Sequence, residues 1–348
     1  MKLQDFLSHK VSWLEDIGPH SDIVISSRIR LARNLCNYSF RGYASADQEI
    51  EFGEILKNVF LKNDYLKGAL FIDLKSLNAV ERFFLVERHL ISKEHAEYEG
   101  YRSVIVSEGE SISVMINEED HIRMQLLLPG FQIMDCWRLA DKIDSQIQKK
   151  TEFAYTKEWG YLTACPTNVG TGMRASVMMH LPCLVLTTQI NKVLEAIAKL
   201  GLAVRGLYGE GTAATGDFFQ ISNQLTLGLS EEDIIDNIEK VCYQIIQHEL
   251  DARNTLYKKE KDKLEDRIFR AYGLLKNVRI VNYTEAITLL SCIRLGMSLG
   301  IIKDVSRERL NELFLLTQPS HIQFLENKEM VALDRDIRRA QLIREKLV

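Results

Sequence analysis

The sequence carries no basic excess. Its 44 lysines and arginines stand against 48 aspartates and glutamates, a net charge of −4 over 348 residues, whereas a dedicated nucleic-acid binder gathers cations to neutralise phosphates. No direct nucleic-acid partner is expected, and any anion site must be local. Residues 1–10 lack an apolar segment behind a basic start, and no run reaches the roughly 18 unbroken apolar residues a membrane helix requires. A soluble, cytoplasmic protein with no membrane partner is the expectation. The six cysteines (Cys36, Cys136, Cys165, Cys183, Cys242, Cys292) include no CxxC pair, which argues against a structural zinc site and, without a secretory signal, against disulfides. They read as reduced thiols: five as small core residues, with only Cys165 in a context that suggests more.

The familiar nucleotide signatures are missing too. Residues 209–216 (GEGTAATG) have the glycines of a phosphate loop but no GK[ST] and no GxGxxG spacing, and there is no HRD or DFG set. A Walker A site and the usual Ser/Thr/Tyr protein-kinase layout are thereby excluded.

What is present describes a globular protein. With 46% hydrophobic and 26% charged residues, the chain can bury one large core and a smaller second domain. Residues 22–33 open as an extended run in which alternation places Arg28 and Arg30 on one face. Helical spacing marks 46–62 and 79–90. Residues 102–106 and 112–116 read as a hairpin across Glu108-Gly109, and 122–128 as a further strand closed by Pro129-Gly130, before a helix over about 131–150. The turn-rich loop 165–172 feeds a stretch, 173–181, that reads as more helical. Strand-like 202–207, a second glycine-rich loop at 206–216 and extended 218–227 follow. From Ser230, a capping residue with Asp233 at the capping-box position, the chain is almost continuously helical. This order predicts an α+β fold, an antiparallel sheet flanked by helices with a smaller all-helical C-terminal domain, not a repeating βα unit. The charged run 258–266 (KKEKDKLED) suggests a boundary, giving a catalytic domain at 1–259 and a helical one at 260–348, with no low-complexity tract or short repeat.

Several residues are suited to phosphoryl transfer, which asks for cations on the phosphates, a metal, and groups holding donor and acceptor in line. Arg28 and Arg30 share a strand face, Arg123 follows an acidic cluster, and Arg174 and Arg205 border glycine-rich loops. Arginine forks bind phosphate oxygens in bidentate fashion, although each arginine alone reads more readily as a solvated surface residue, and only the loop contexts of Arg174 and Arg205 favour more. Two carboxylates stand out, Glu119 at a strand end and Glu210 between two glycines. A guanidinium acceptor needs such groups, because its protonated form has no nucleophilic lone pair and must be oriented and deprotonated as it attacks. A Cys165 thiolate would be a third anionic partner. The plainer alternatives are an acidic turn at Glu118-Glu119-Asp120, a loop tip at Glu210, and packing at Cys165.

At these residues the chain resembles the phosphagen (guanidino) kinase family, and within it the bacterial protein-arginine kinases. The blocks Ser27-Arg28-Ile29-Arg30, Asn117-Glu118-Glu119-Asp120-His121-Ile122-Arg123, Cys165-Pro166-Thr167-Asn168-Val169-Gly170-Thr171, Arg174-Ala175-Ser176-Val177 and Arg205-Gly206-Leu207-Tyr208-Gly209-Glu210-Gly211 occur in the family's order. The resemblance implies an ATP site formed by Ser27, Arg28, Ile29, Arg30, Leu31, His89, Arg123, Arg174, Ala175, Ser176, Val177, Met178, Arg205, Gly206, Leu207, Tyr208 and Gly209. Mg2+ would be held mainly through the nucleotide. It also implies Glu119 as the catalytic carboxylate, Glu210 as a clamp on a second guanidinium nitrogen, and Cys165 against the same group. Where kinases of small guanidino compounds have a histidine after the RASV block, this chain has Met178, with His180 two further on. Only about twenty residues precede the SRIR strand, which suggests an acceptor site open enough for an arginine displayed on a protein. Arg335-Asp336-Ile337-Arg338-Arg339-Ala340 resembles the RDxxRA motif with which those kinases bind phosphoarginine allosterically: Arg338 and Arg339 would take the phosphate and Asp336 the guanidinium. Homodimers, autophosphorylation, a zinc-binding activator protein, a heat-shock repressor as substrate and a Clp-type unfoldase and protease are further implications of the resemblance. Two other readings stay open: a phosphoarginine-binding adaptor on a vestigial kinase fold, and a kinase of free arginine.

Overall fold

In the computed structural model, residues 3–7, 9–97, 99–206 and 215–347 are described. Ten strands and twelve α-helices are defined among them. The strands are β1 (Val24–Arg33), β2 (Leu70–Asp73), β3 (Ser103–Val106), β4 (Ile112–Ile116), β5 (Ile122–Pro129), β6 (Tyr155–Thr156), β7 (Gly160–Tyr161), β8 (Met173–His180), β9 (Leu202–Gly206) and β10 (Phe218–Asn223). Eight of them form one sheet in the order β2-β3-β4-β5-β1-β8-β10-β9, and β6 and β7 pair separately. Every pairing in the large sheet is antiparallel.

The helices are α1 (Ala46–Leu61), α2 (Ala79–Glu87), α3 (Lys93–Glu97), α4 (Ile133–Gln148), α5 (Pro182–Leu186), α6 (Ile190–Lys199), α7 (Glu231–Lys259), α8 (Lys261–Asn277), α9 (Tyr283–Ser298), α10 (Arg307–Leu316), α11 (Pro319–Leu325) and α12 (Ala332–Lys346). Reciprocal capping boxes start three of them, Ser45/Gln48 at α1, Asn78/Glu81 at α2 and Ser230/Asp233 at α7. Each satisfies N–H groups that the first helical turn leaves without partners. Helices α7 and α8 break at Glu260, which sits at φ −135°, ψ 37°, inside the charged run.

Alternation divides the central strands between core and cleft. On one side Ile29, Leu31, Leu126, Met124, Ala175, Val177 and Ile221 are nearly fully buried, and α4 and α7 pack over them. Residues directly paired across an antiparallel sheet share a face. The registers Arg30↔Arg174 and Arg30↔Gln125, Arg28↔Ser176, Arg123↔Ala32 and Arg205↔Gln220 therefore put all five arginines on the opposite face.

The helical expectation for 173–181 is corrected, since these residues form β8, the strand beside β1. Methionine and alanine favour helix locally, but Met173, Ala175, Val177 and Met179 all have 0% exposure while Arg174 and Ser176 face the cleft. The period is 2, and burial on a sheet overrides propensity.

An ion pair ties β1 to α4. Arg33, 1% exposed, donates from Nε and Nη2 to Asp144 Oδ2 at 3.1 and 2.9 Å, and from Nη1 to the carbonyls of Ala32 and Thr171. Its guanidinium lies 3.5 Å from the centroid of the Tyr161 ring. Removing one partner of a buried pair strands the other charge, so Asp144→Ala is expected to cost about 3–5 kcal/mol, read as a lower urea midpoint at unchanged m-value.

Candidate active site

A cleft of about 1110 Å³ opens over the polar face of the sheet. Its floor carries Arg28, Arg30, Arg123, Arg205 and Gln220, and its walls carry His89, Ser92, Glu94, Arg41, Glu118, Glu119 and Ala164. Sequence segments more than a hundred residues apart thus meet around one solvent-filled space.

The floor is cationic and strained by its own charge. Burial, then the fields of Arg123, Arg174 and Arg205, pull the Arg28 guanidinium down to about 10. Arg30 is lowered by burial and by the same cluster together with Arg28. At about 10 the Arg28 guanidinium still carries its charge at neutral pH, so the fold holds it against the like charges of its neighbours. Polar neighbours aim them: Arg28 Nη2 donates to Gln220 Oε1 at 2.8 Å and Nε to Ser176 Oγ at 3.4 Å, and Arg174 Nη2 to Ser222 Oγ at 3.4 Å. Arg30 Nε is buried without a hydrogen-bond partner. An orphaned donor inside a cluster of buried arginines fits a polyanion such as a triphosphate.

One arginine is tempered. Arg123 Nη1 donates to Glu118 Oε1 at 2.6 Å, and Glu118, 2% exposed, also accepts from Ser92 Oγ and from the backbone N–H of Glu119. Burial alone would raise the Glu118 carboxyl, but Arg123 and these donors hold it down at about 2. The adjacent Glu119 behaves oppositely. It is exposed to the cleft, and burial, then Asp120 and Glu118, raise its carboxyl above the ordinary range against the pull of Arg123. A carboxylate with raised proton affinity is better matched to accepting a proton.

Asp120 links this turn to the cysteine loop. Its Oδ1 accepts from Asn34 Nδ2 at 2.6 Å and from the Ala164 N–H at 2.7 Å, so the residue before Cys165 is held beside Glu119. Cys165 is half-buried, with Sγ 3.0 Å from Thr167 Oγ1. Gly170, at φ +111°, comes so close to Thr226 that a Cβ would sit 2.2 Å from its carbonyl oxygen. Only glycine fits that approach, and it fastens the loop to the strand side.

The sequence reading placed the arginines and Glu119 together, and it passed over Glu118 and Asp120 as members of an acidic turn. Other expected contacts fall elsewhere. The side chains of Ile29, Leu31, Ala175 and Val177 lie in the core, and Ser27 Oγ bonds to Gly130 O and Gln132 N under the sheet. Contact from these five to a cleft ligand is therefore limited to backbone. Gly206 ends β9 and is buried. Leu207, Tyr208, Gly209 and Glu210 lie outside the described residues.

His89 lies in the left-handed region at φ 60°. Burial, then Arg28, lower its imidazole to about 4, so it is neutral. With Met178, Ser176, Arg28 and Gln220 it lines a small recess running from the arginine floor. His180 is fully buried against Phe218 and bonded to Ser291 on α9 at 2.8 Å, which makes it a packing residue.

The 335–340 motif divides in two. Arg339, 1% exposed, donates to Thr317 O at 2.7 Å, to Val281 O at 2.9 Å and to Asp336, and Ala340 is buried beside it. Arg335 donates to Met330 O, and Arg338 pairs with Glu326 at 2.6 Å and Glu345 at 3.6 Å at the surface. The two arginines expected to share one ligand phosphate therefore differ in this arrangement: Arg339 is occupied by the chain itself, whereas Arg338 is held in pairs with two glutamates.

Residues 51–252 match the family described as ATP:guanido phosphotransferase, C-terminal catalytic domain, and residues 261–348 match the protein-arginine kinase McsB C-terminal domain. The chain is 48% identical over 350 residues to the protein-arginine kinase of Geobacillus sp. (strain WCH70), an alignment spanning 100% of this chain and 97% of that one. It is 47% identical over 347 residues to the protein-arginine kinase of Bacillus subtilis (strain 168), spanning 99% and 94%. Among solved structures, lombricine kinase superposes with a TM-score of 0.59 at 24% identity over 69% of this chain and 70% of its own. The substrate-free duplicated taurocyamine kinase from Schistosoma mansoni does so with 0.59 at 22% identity over 71% and 37%. These two likenesses establish the fold.

Proposed function

The chain belongs to the ATP:guanido phosphotransferase family, and from that premise we propose that it transfers the γ-phosphoryl group of ATP to arginine side chains of proteins. The observation that carries this reading is the meeting of unlike groups in one cleft: a floor of mutually repelling arginines beside Glu119, a carboxylate of raised proton affinity.

Arg28, Arg30, Arg123, Arg174 and Arg205 bind and orient the phosphates, and Gln220, Ser176 and Glu118 keep their forks aimed. Bound ATP supplies the phosphoryl group, with Mg2+ shielding its negative charge. Mg2+ would be held mainly through the nucleotide. Glu119 orients the acceptor guanidinium and takes the proton its nitrogen loses, with Glu210 and Cys165 as its further contacts. His89 and Met178 flank the adenine side. Residues 1–259 form the catalytic domain and 260–348 the helical one, whose Arg335, Asp336 and Arg338 offer a surface for phosphoarginine.

On the strength of the same kinship, the reading extends to a cytoplasmic homodimer acting in the stress response. A heat-shock repressor is among its substrates, a zinc-binding protein activates it, and a Clp-type unfoldase receives its products. No helix among the described residues is long and apolar enough to cross a membrane.

Incubation with ATP and either an unfolded protein or free arginine, scored as acid-labile phosphate on each, tests the central assignment. Label on the protein supports it, and label confined to free arginine replaces it with a small-molecule kinase. The pH dependence offers a second test. Glu119 must be deprotonated to act, so kcat/KM rises with pH through its raised pKa. Asp120→Asn keeps an oxygen for Asn34 and Ala164 but removes a neighbouring charge. The acid limb is therefore expected to move to lower pH, and a limb that stays in place contradicts Glu119 as the titrating group.

A further inference from the structure

The nucleotide end of the cleft is braced from the C-terminal helices by a buried histidine. Glu87, the last residue of α2, lines the cleft, and its carboxylate turns toward α11. Oε1 accepts the Ser320 N–H at 2.8 Å, and Oε2 accepts both the His321 N–H and His321 Nδ1, each at 2.9 Å. The Glu87 carbonyl accepts from Gln318 Nε2 at 3.2 Å.

His321 is 1% exposed, and its ring packs on Phe84 with centroids 4.5 Å apart. Its Nε2 lies 3.4 Å from Nη1 of Arg88. A guanidinium only donates, so Nε2 is the acceptor and the proton sits on Nδ1, facing Glu87. Arg88 in turn is paired through both arms with the buried Glu110.

Two residues beyond Glu87 comes His89. Its left-handed backbone, at φ 60°, is strained for a non-glycine residue and persists only where the surroundings over-determine it. Gln125, from the sheet, donates to its carbonyl, its N–H bonds to Val86 O at 2.9 Å, and its ring meets Trp13 edge-on. The turn is thus pinned on one side by the sheet and on the other by α11.

We propose that His321 is a positioning residue for phosphoryl transfer: by binding Glu87 it fixes the Glu87–His89 turn and sets the His89 ring at the nucleotide end of the cleft. The proposal rests on the reading of His89 as a wall of the ATP site. It makes the helical C-terminal region part of the machinery that recognises ATP.

The test is a double-mutant cycle in the full-length protein, with KM for ATP, kcat and KM for the protein acceptor measured separately. His321→Leu removes the donor to Glu87 and is expected to raise KM for ATP about tenfold, with kcat and the acceptor KM little changed. His321→Asn, whose amide N–H can take the place of Nδ1–H, is expected to restore most of it. His89→Ala should match the His321→Leu effect, and the double variant should be no worse than either, since one acts through the other. Should His321→Leu not fold, Glu87→Gln, which turns an amide nitrogen toward the α11 donors, is expected to give the same ATP-specific loss. A fall in thermal midpoint with KM for ATP unchanged, or additive effects in the cycle, overturns the proposal. If His89→Ala leaves KM for ATP unaltered, the placement of the nucleotide beside His89 is what fails.

Discussion

Glu119→Gln should abolish most phosphoryl transfer while ATP still binds. The substitution keeps shape and removes the proton acceptor, a group whose loss typically lowers kcat by about 10²–10⁴-fold. Among the described residues its carboxylate makes no hydrogen bond or ion pair, and the neighbouring structural duties belong to Glu118, which pairs with Arg123 and Ser92, and to Asp120, which carries Asn34 and Ala164. The thermal midpoint and the affinity for a nucleotide analogue are therefore expected to stay near the parent values. A variant that retained full activity would remove Glu119 from the chemistry, and one that lost nucleotide binding would show that its role is elsewhere.

Arg30→Leu is expected to produce two opposite changes. Phosphoryl transfer should fall by at least about 10²–10³-fold, the usual cost of removing one preorganised donor from developing charge. The protein without nucleotide should nevertheless become more stable, because a buried cation repelled by Arg28, Arg123, Arg174 and Arg205 is gone and its unpartnered Nε with it. Stabilisation by saturating ATP, which follows RT ln(1 + [L]/Kd), should shrink in the same variant. Thermal melts with and without ATP, beside a transfer assay, measure all three. An unliganded Arg30→Leu protein that melts well below the parent would contradict the view that the arginine floor holds stored repulsion for a polyanion.

Much of this arrangement was legible before the fold was seen, for identifiable reasons. Alternation in β1 separated Arg28 and Arg30 from Ile29 and Leu31, and the capping pair Ser230 and Asp233 marked the start of α7 to the residue. The hairpin β3–β4 followed from its two apolar runs and from Gly109, which sits at φ +77°. Other features depend on neighbours that a linear pattern does not name. Strand β8 was mistaken for helix because its methionines and alanine carry no β-branch, and only its place between β1 and β10 makes the twofold period decisive. Glu118 and Asp120 share one acidic turn with Glu119, yet one tempers Arg123 and the other anchors Ala164, a division set by Ser92 and Ala164, 26 and 44 residues away. Arg339 lay in a recognisable motif, but its commitment to Thr317 and Val281 needs the packing of α12 against two other segments.

Strand β1 works as a reading frame shared by two systems. The same ten residues deliver Arg28 and Arg30 upward to the cleft and Ile29 and Leu31 downward to α4. A single residue inserted after Ser26 would exchange the two sets, seating guanidinium groups in hydrocarbon and presenting isoleucine and leucine to the cleft. Binding and folding are therefore inherited together along this segment, and neither can drift without the other.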